Sequence, residues 1–136
     1  MNLLLDTHVF LWWRADAAEL GATAREAIAD EGNAIFVSAA VAWEIVIKRA
    51  LGKLTFDGTT AAAIAEEGFT ELPVTTRQVD AVADLADHHR DPFDRILIAQ
   101  ARCEGLTLVT ADPQVLAYGG ALLSATAETR RRRARR

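Results

Sequence analysis

Five carboxylates stand where the chain could do chemistry. Asp6 follows "NLLL", Glu44 lies inside "SAAVAWEIVIKRA", Asp91 and Asp94 open "RDPFDRILIAQA", and Asp112 follows "LTLVTA". Taken singly, most have a structural explanation. Asp6, Asp91 and Asp112 each directly precede a plausible helix and can cap it by accepting backbone N–H bonds. Pro92 and Pro113 suit the first helical position, which strengthens that reading for Asp91 and Asp112. Asp94 then falls at the third position of its helix, as an acidic capping-box variant favoured by the helix dipole. Glu44 is harder to place, because its helix is apolar on almost every side. A buried acid is costly unless paired or bound to a cation. Lys48, four residues on, is one partner, and a functional site is the other.

The combination carries more than the parts. Carboxylates converging on one edge repel each other unless a divalent cation neutralises them. Oxygen ligands with no cysteine or histidine pattern favour hard ions such as Mg²⁺ or Mn²⁺ over zinc. Such an ion makes an attacking water more acidic and offsets charge in an in-line displacement, so metal-assisted phosphodiester hydrolysis is the reaction class expected. Two competitors stay open. An aspartyl-nucleophile phosphatase at Asp6 would want a second Asp two residues on, where this chain has His8. A non-catalytic α/β interaction module whose acids only cap helices would bind no metal.

Other chemistry-bearing residues add little. His88 and His89 fall at the end of a helix expected over Arg77–His89, where cationic side chains suit the dipole. His8 has no second histidine at metal-ligand spacing. The Trp12–Trp13 pair reads as core or subunit interface rather than a base-stacking platform. "GTTAAAIAEEG" lacks the Lys and Gly pattern of a phosphate loop.

The elements that must position the acids are short. "NLLLD", "AIFVS" (34–38) and "LTLVTAD" (106–112) read as buried strands with polar ends, and "FTELPV" (69–74) and "ALLSA" (121–125) as weaker ones. Helical patterns cover Thr23–Asp30, Ala39–Ala50, Thr59–Glu67, Arg77–His89 and Pro92–Glu104. In Arg77–His89 the apolar face is Val79, Val82, Ala83 and Ala86. Alternating strands and helices predict an α/β domain with a mainly parallel sheet. Ligands of such sheets bind beyond the carboxyl ends of the strands, where Asp6, Asp112 and the Ser38 turn before Glu44 all fall.

The whole chain bounds these readings. Its 136 residues, 51% hydrophobic and 25% charged, suit one soluble globular domain over 1–128. Apolar runs such as Ala39–Val46 meet charge well before the roughly 18 residues of a membrane span. "MNLLLDTHVF" has no basic region and meets Asp6, so no signal peptide is expected and the default location is cytoplasmic. The single Cys103 excludes an internal disulfide and a cysteine-based zinc site, and reads as a small core residue. The tail at 129–136 holds six arginines, leaving nine bases against 19 acids in residues 1–129, a net of −10. An acidic body is a poor footprint for nucleic acid unless cations neutralise part of it. The tail reads as a solvated, disordered end, with RNA phosphate or an acidic protein segment as the functional option.

Four blocks in order, "LLLDTHVFLWW", "VSAAVAWEIVIK", "RDPFDRILIAQA" and "LVTADPQVLAY", resemble the acidic blocks of PIN-domain ribonucleases, and most closely the VapC-like toxins of type II toxin–antitoxin modules. The likeness runs from Met1 to about Ala125 and implies a PIN-like single domain. It implies that Asp6, Glu44, Asp94 and Asp112 are the catalytic, metal-binding acids. Thr7, Asp91 and Thr110 support them, and Arg95 is a candidate RNA contact. It further implies a Mg²⁺- or Mn²⁺-dependent endoribonuclease with one or two ions per site, silenced by a cognate antitoxin. The partners implied are an RNA substrate, a second copy in a homodimer and a higher-order complex with the antitoxin, with no membrane.

Overall fold

The computed structural model describes residues 1–87 and 89–126. His88 and the arginine tail, with the roles expected of them, lie outside those residues. The β-prone run Asn2–Leu5 forms β1, and Leu3, Leu4 and Leu5 are all fully buried. Leucine on both faces suits a strand covered on both sides. Burying each such side chain stabilises the fold by about 1.5–3 kcal/mol before entropy is counted. β1 accordingly takes the centre of the sheet.

The remaining elements follow in chain order. They are α1 (Thr7–Ala15), α2 (Ala22–Ala29), β2 (Ala34–Ser38), α3 (Ala39–Ala50), α4 (Thr60–Glu66), β3 (Thr70–Leu72) and α5 (Thr76–Ala81). A 3-10 turn (Val82–Asp84) leads through a loop to α6 (Pro92–Glu104), β4 (Thr107–Thr110), α7 (Pro113–Leu116) and β5 (Leu122–Ser124). The five strands form one sheet in the order β3-β2-β1-β4-β5. Every neighbouring pair is parallel, with Leu3 level with Ile35 and with Thr107 on either side. This is the α/β architecture with a parallel sheet expected from the sequence.

Parallel strands bring all their carboxyl ends to one edge. The chain leaves β1 for β2 on one side and later returns to β4 on the other. The reversal opens a crevice beyond the ends of β1 and β4, the usual place for a ligand in such sheets. Asp6 and Asp112 stand at those two ends. Among the described residues no helix is long and apolar enough to cross a membrane.

Two helices match their expected bounds, Ala39–Ala50 and Pro92–Glu104. The expected Arg77–His89 helix does not form as one piece. It stops at Ala81, tightens into the 3-10 turn and then opens into loop. The reason is long-range: Arg95 on α6 donates to the carbonyls of Val82 (3.2 Å) and Ala86 (3.1 Å). Val82 O already accepts Leu85 N at 3.1 Å in the tight turn. The expected apolar face is also not the buried one. Gln78 and Leu85 are buried instead, while Val79 is exposed. Gln78 completes a capping box with Thr75 and accepts a hydrogen bond from Gln100 of α6 at 3.0 Å, which fixes the orientation of α5. Cys103, expected in the core, is half-buried.

Candidate active site

Asp6 is the N-cap of α1, its Oδ1 accepting Val9 N at 2.9 Å, and it is buried. Its own N–H donates to Val109 O on β4 at 3.1 Å, tying the two strand ends together. The Thr110 hydroxyl bonds to the Asp6 carboxylate, and Thr110 Oγ1 accepts Asp112 N at 3.1 Å. A single threonine thus links the first and last acids. Asp112 caps α7 through Oδ1, which accepts Gln114 N at 2.9 Å. Its Oδ2 faces the cleft, 3.7 Å from His89 Nε2. Capping and facing the site are therefore compatible, one carboxylate oxygen serving each.

Asp91 and Asp94 separate cleanly. Asp91 Oδ1 accepts Phe93 N at 2.8 Å and Asp94 N at 3.2 Å, making it the N-cap of α6. Asp94 does not close a capping box. Its Oδ2 lies 2.7 Å from His89 Nε2, pointing into the cleft. Glu44, buried on α3, accepts the Thr7 hydroxyl at 2.6 Å through Oε1 and meets Lys48 Nζ at 2.7 Å through Oε2. The lysine partner inferred from spacing is real, and it holds Glu44 at the cleft rather than away from it.

Asp6, Thr7, His8, Glu44, Lys48, His89, Asp91, Asp94 and Asp112 together line a cleft of about 110 Å³. Its electrostatics are those of acids short of positive charge. Burial pushes the Asp6 carboxyl up, against the opposing hydrogen bonds of Thr110 and Val9 and the charge of His8, with Glu44 adding repulsion. Burial likewise pushes Asp94 up, to about 6, despite the His89 hydrogen bond, and Asp91 and Asp6 raise it further. The Lys48 ammonium is raised, chiefly by its hydrogen bond to Glu44, so it stays charged. A divalent cation fits this donor set: hard carboxylate oxygens converge there, and two of the acids resist ionising without more positive charge.

The sequence suggests a helix-end cation for His89, yet the structure turns its imidazole into the cluster. Nε2 of His89 and one carboxylate oxygen each of Asp94 and Asp112 lie within 4.8 Å of one another. The signal available was positional. Residues just before an N-cap fold back beside the first turn of the helix, and His89 precedes the Asp91 cap by two. Arg95, expected at RNA, is instead taken up inside the protein. Besides Val82 O and Ala86 O, it donates to His89 O at 3.2 Å and Tyr118 Oη at 3.0 Å. Half-buried, it fastens the loop.

A second concavity, about 690 Å³, is larger and of the opposite character. Trp43, Val74, Val79, Phe93 and Ile96 are among its lining residues, with Trp43 63% exposed despite its size. Trp43 meets Phe93 edge-on at 5.3 Å. The Trp12–Trp13 pair is elsewhere and half-buried, Trp13 packing on Phe69 and donating Nε1–H to Glu67 at 2.8 Å.

With this geometry in hand, comparison with known proteins is informative. The family model for the PIN domain matches residues 3–121. Ribonuclease VapC22 of Mycobacterium tuberculosis is 32% identical over 127 residues, covering 86% of this chain and 92% of that protein. Among solved structures, VapBC2 from Rickettsia felis bound to a DNA fragment from its promoter superposes with a TM-score of 0.66 at 12% identity, covering 92% of this chain and 99% of its own. A toxin–antitoxin complex from Klebsiella pneumoniae gives 0.61 at 18% identity, with 93% and 99% covered. At these identities the two structures speak to the fold.

Proposed function

The chain belongs to the PIN-domain family, and from that premise we propose that it is a divalent-cation-dependent endoribonuclease acting as the toxin of a type II toxin–antitoxin pair in the cytoplasm. The observation that carries the proposal is the arrangement of Asp6, Glu44, Asp94 and Asp112 around one cleft at the switch point of the sheet. Helix capping accounts for Asp6, Asp91 and Asp112, but not for Asp94 and Glu44, whose carboxylates cap nothing. That asymmetry favours a metal site over a module whose acids merely cap helices.

In this reading Asp6, Glu44, Asp94 and Asp112 hold Mg²⁺ or Mn²⁺, one or two ions. Bound there, the cation supplies charge neutralisation for an in-line displacement at phosphorus and a water acidic enough to attack. The chain's other residues orient the ligands. Thr7 fixes one oxygen of Glu44 and Thr110 steadies Asp6, while the Asp91 cap sets the first turn from which Asp94 projects. Lys48 keeps a positive charge at the rim of an otherwise acidic cleft, where an RNA phosphate must approach.

We further propose that the chain works as a homodimer, a reading the apolar concavity supports. An exposed tryptophan among valines and a phenylalanine is the composition of a buried interface core. The antitoxin is the second protein partner, supported by the toxin–antitoxin complexes that share the fold. The test is cleavage of RNA by the purified chain with and without Mg²⁺ or Mn²⁺. Wild type cleaves only with the ion, and Asp94→Asn, with unchanged circular dichroism, does not. Undiminished cleavage by that variant would overturn the assignment.

A further inference from the structure

Resting on the reading above, we infer that His89 is a nitrogen ligand to the cation held in this cleft, which makes the site a mixed imidazole–carboxylate one that takes Mn²⁺ in preference to Mg²⁺. Three observations lead there.

The first is aim. His89 Nε2 stands 2.7 Å from Asp94 Oδ2 and 3.7 Å from Asp112 Oδ2, between acids supplied by two separate elements. A histidine serving only to pair with one carboxylate has no need to address both. The same approach lets Nε2, in the neutral ring with its proton on Nδ1, share an ion with that oxygen.

The second is preorganisation. The His89 side chain is 15% exposed, and its loop is held by its backbone. Arg95 donates to the carbonyls of Val82, Ala86 and His89, and the Tyr118 hydroxyl also donates to His89 O at 3.3 Å. Two side chains, from α6 and from just after α7, therefore converge on the backbone carbonyl of His89. Ligand residues are commonly fixed in this way by neighbours that never touch the ion.

The third is donor chemistry. A carboxylate-only site suits Mg²⁺, which demands oxygen and gives up its waters reluctantly. An imidazole nitrogen shifts the balance towards first-row transition ions, of which Mn²⁺ still accepts carboxylates readily.

Calorimetric titration of the full chain with MnCl₂ and with MgCl₂, for wild type and His89→Asn, tests this. Nitrogen-14 coupling to bound Mn²⁺ in pulsed electron paramagnetic resonance supplies a direct signature. Wild type is expected to bind Mn²⁺ about ten-fold more tightly than Mg²⁺, with imidazole coupling present. His89→Asn is expected to lose the coupling and about ten-fold in Mn²⁺ affinity, while its Mg²⁺ isotherm moves by less than about two-fold. The unchanged Mg²⁺ isotherm is also the evidence that the variant's site is intact. A Mn²⁺ isotherm that His89→Asn leaves unchanged, or wild-type Mn²⁺ without nitrogen coupling, overturns the inference and leaves the nuclease reading standing. Wild type that takes up neither ion overturns both.

Discussion

Two concavities of opposite chemistry share the same two helices. On α3, Trp43 faces the apolar concavity and its neighbour Glu44 faces the acidic cleft. On α6, Phe93 and Asp94 divide in the same way. Adjacent residues on a helix point about 100° apart, so each helix can serve two surfaces at one turn. The difference between the surfaces is in how they are satisfied. The cleft is small, its acids fastened by hydrogen bonds and short of positive charge. The apolar concavity is large, and its aromatic residues Trp43 and Phe93 meet each other edge-on. One asks for an ion and the other for a protein.

That contrast can be broken from either side. The largest expected effect is on the cleft: Asp94→Asn lowers RNA cleavage on the order of 10³-fold, about 4 kcal/mol of transition-state stabilisation. Sedimentation of the same variant should be unchanged, since Phe93 and Trp43 are untouched. Next comes the apolar side. Trp43→Asp places a charge in the centre of the proposed interface and should weaken dimerisation by about 2–4 kcal/mol, the scale of an interface hot spot. Analytical ultracentrifugation would read the shift to monomer, while Mn²⁺ uptake per chain stays as in wild type. A variant that lost both properties together would show that the two surfaces are not separable.

A smaller effect appears in the metal-free protein. The folded pKa of Asp94, about 6, lies above its ordinary value of 3.8. The folded state therefore holds the extra proton between these values, and stability falls as pH rises through that window. Above pH 6 the full penalty of the ionised acid is present. Chemical denaturation at pH 7.5 should find Asp94→Asn more stable than wild type by about 1–2 kcal/mol, reduced from the full shift by partial exposure and the lost His89 contact. At pH 4 the two should converge. Wild type with saturating Mn²⁺ should lose the slope near pH 6. The smallest effect is at Asp91: replacement by Asn, which also caps, should cost a few tenths of a kcal/mol, and by Ala about 1 kcal/mol. Denaturant midpoints would separate these two.

Much of this was legible in the residues. The leucine run of β1 and the aliphatic run of α3 read as the strand and helix they form, and the alternation of such elements predicts the parallel sheet. The acids were legible as a set, because strand ends and helix starts coincide in this fold. Asp6 and Asp112 looked as though they must either cap or serve the site. The structure shows one oxygen capping, and for Asp112 the other turned to the cleft, which no one-dimensional pattern distinguishes. The loop after α5 was not legible. The period-3.6 pattern at Val79, Val82, Ala83 and Ala86 is present in the sequence, but a guanidinium from α6 takes the carbonyls a longer helix would have used. The same distant arginine holds the His89 carbonyl, so long-range contacts of one side chain shape both the early helix end and the loop that carries the imidazole.

The position of β1 has a further consequence in the order of synthesis. The strand at the middle of the sheet is made before every other strand described, and its partner β4 only after β2 and β3. Asp6 waits beside an incomplete sheet until Asp112 emerges from the ribosome and Asp6 N–H can reach Val109 O. A nascent chain thus carries most of its acids without a working arrangement of them. A chain cut short anywhere before β4 lacks Val109, Thr110 and Asp112, so its remaining acids cannot assemble however well its first half folds.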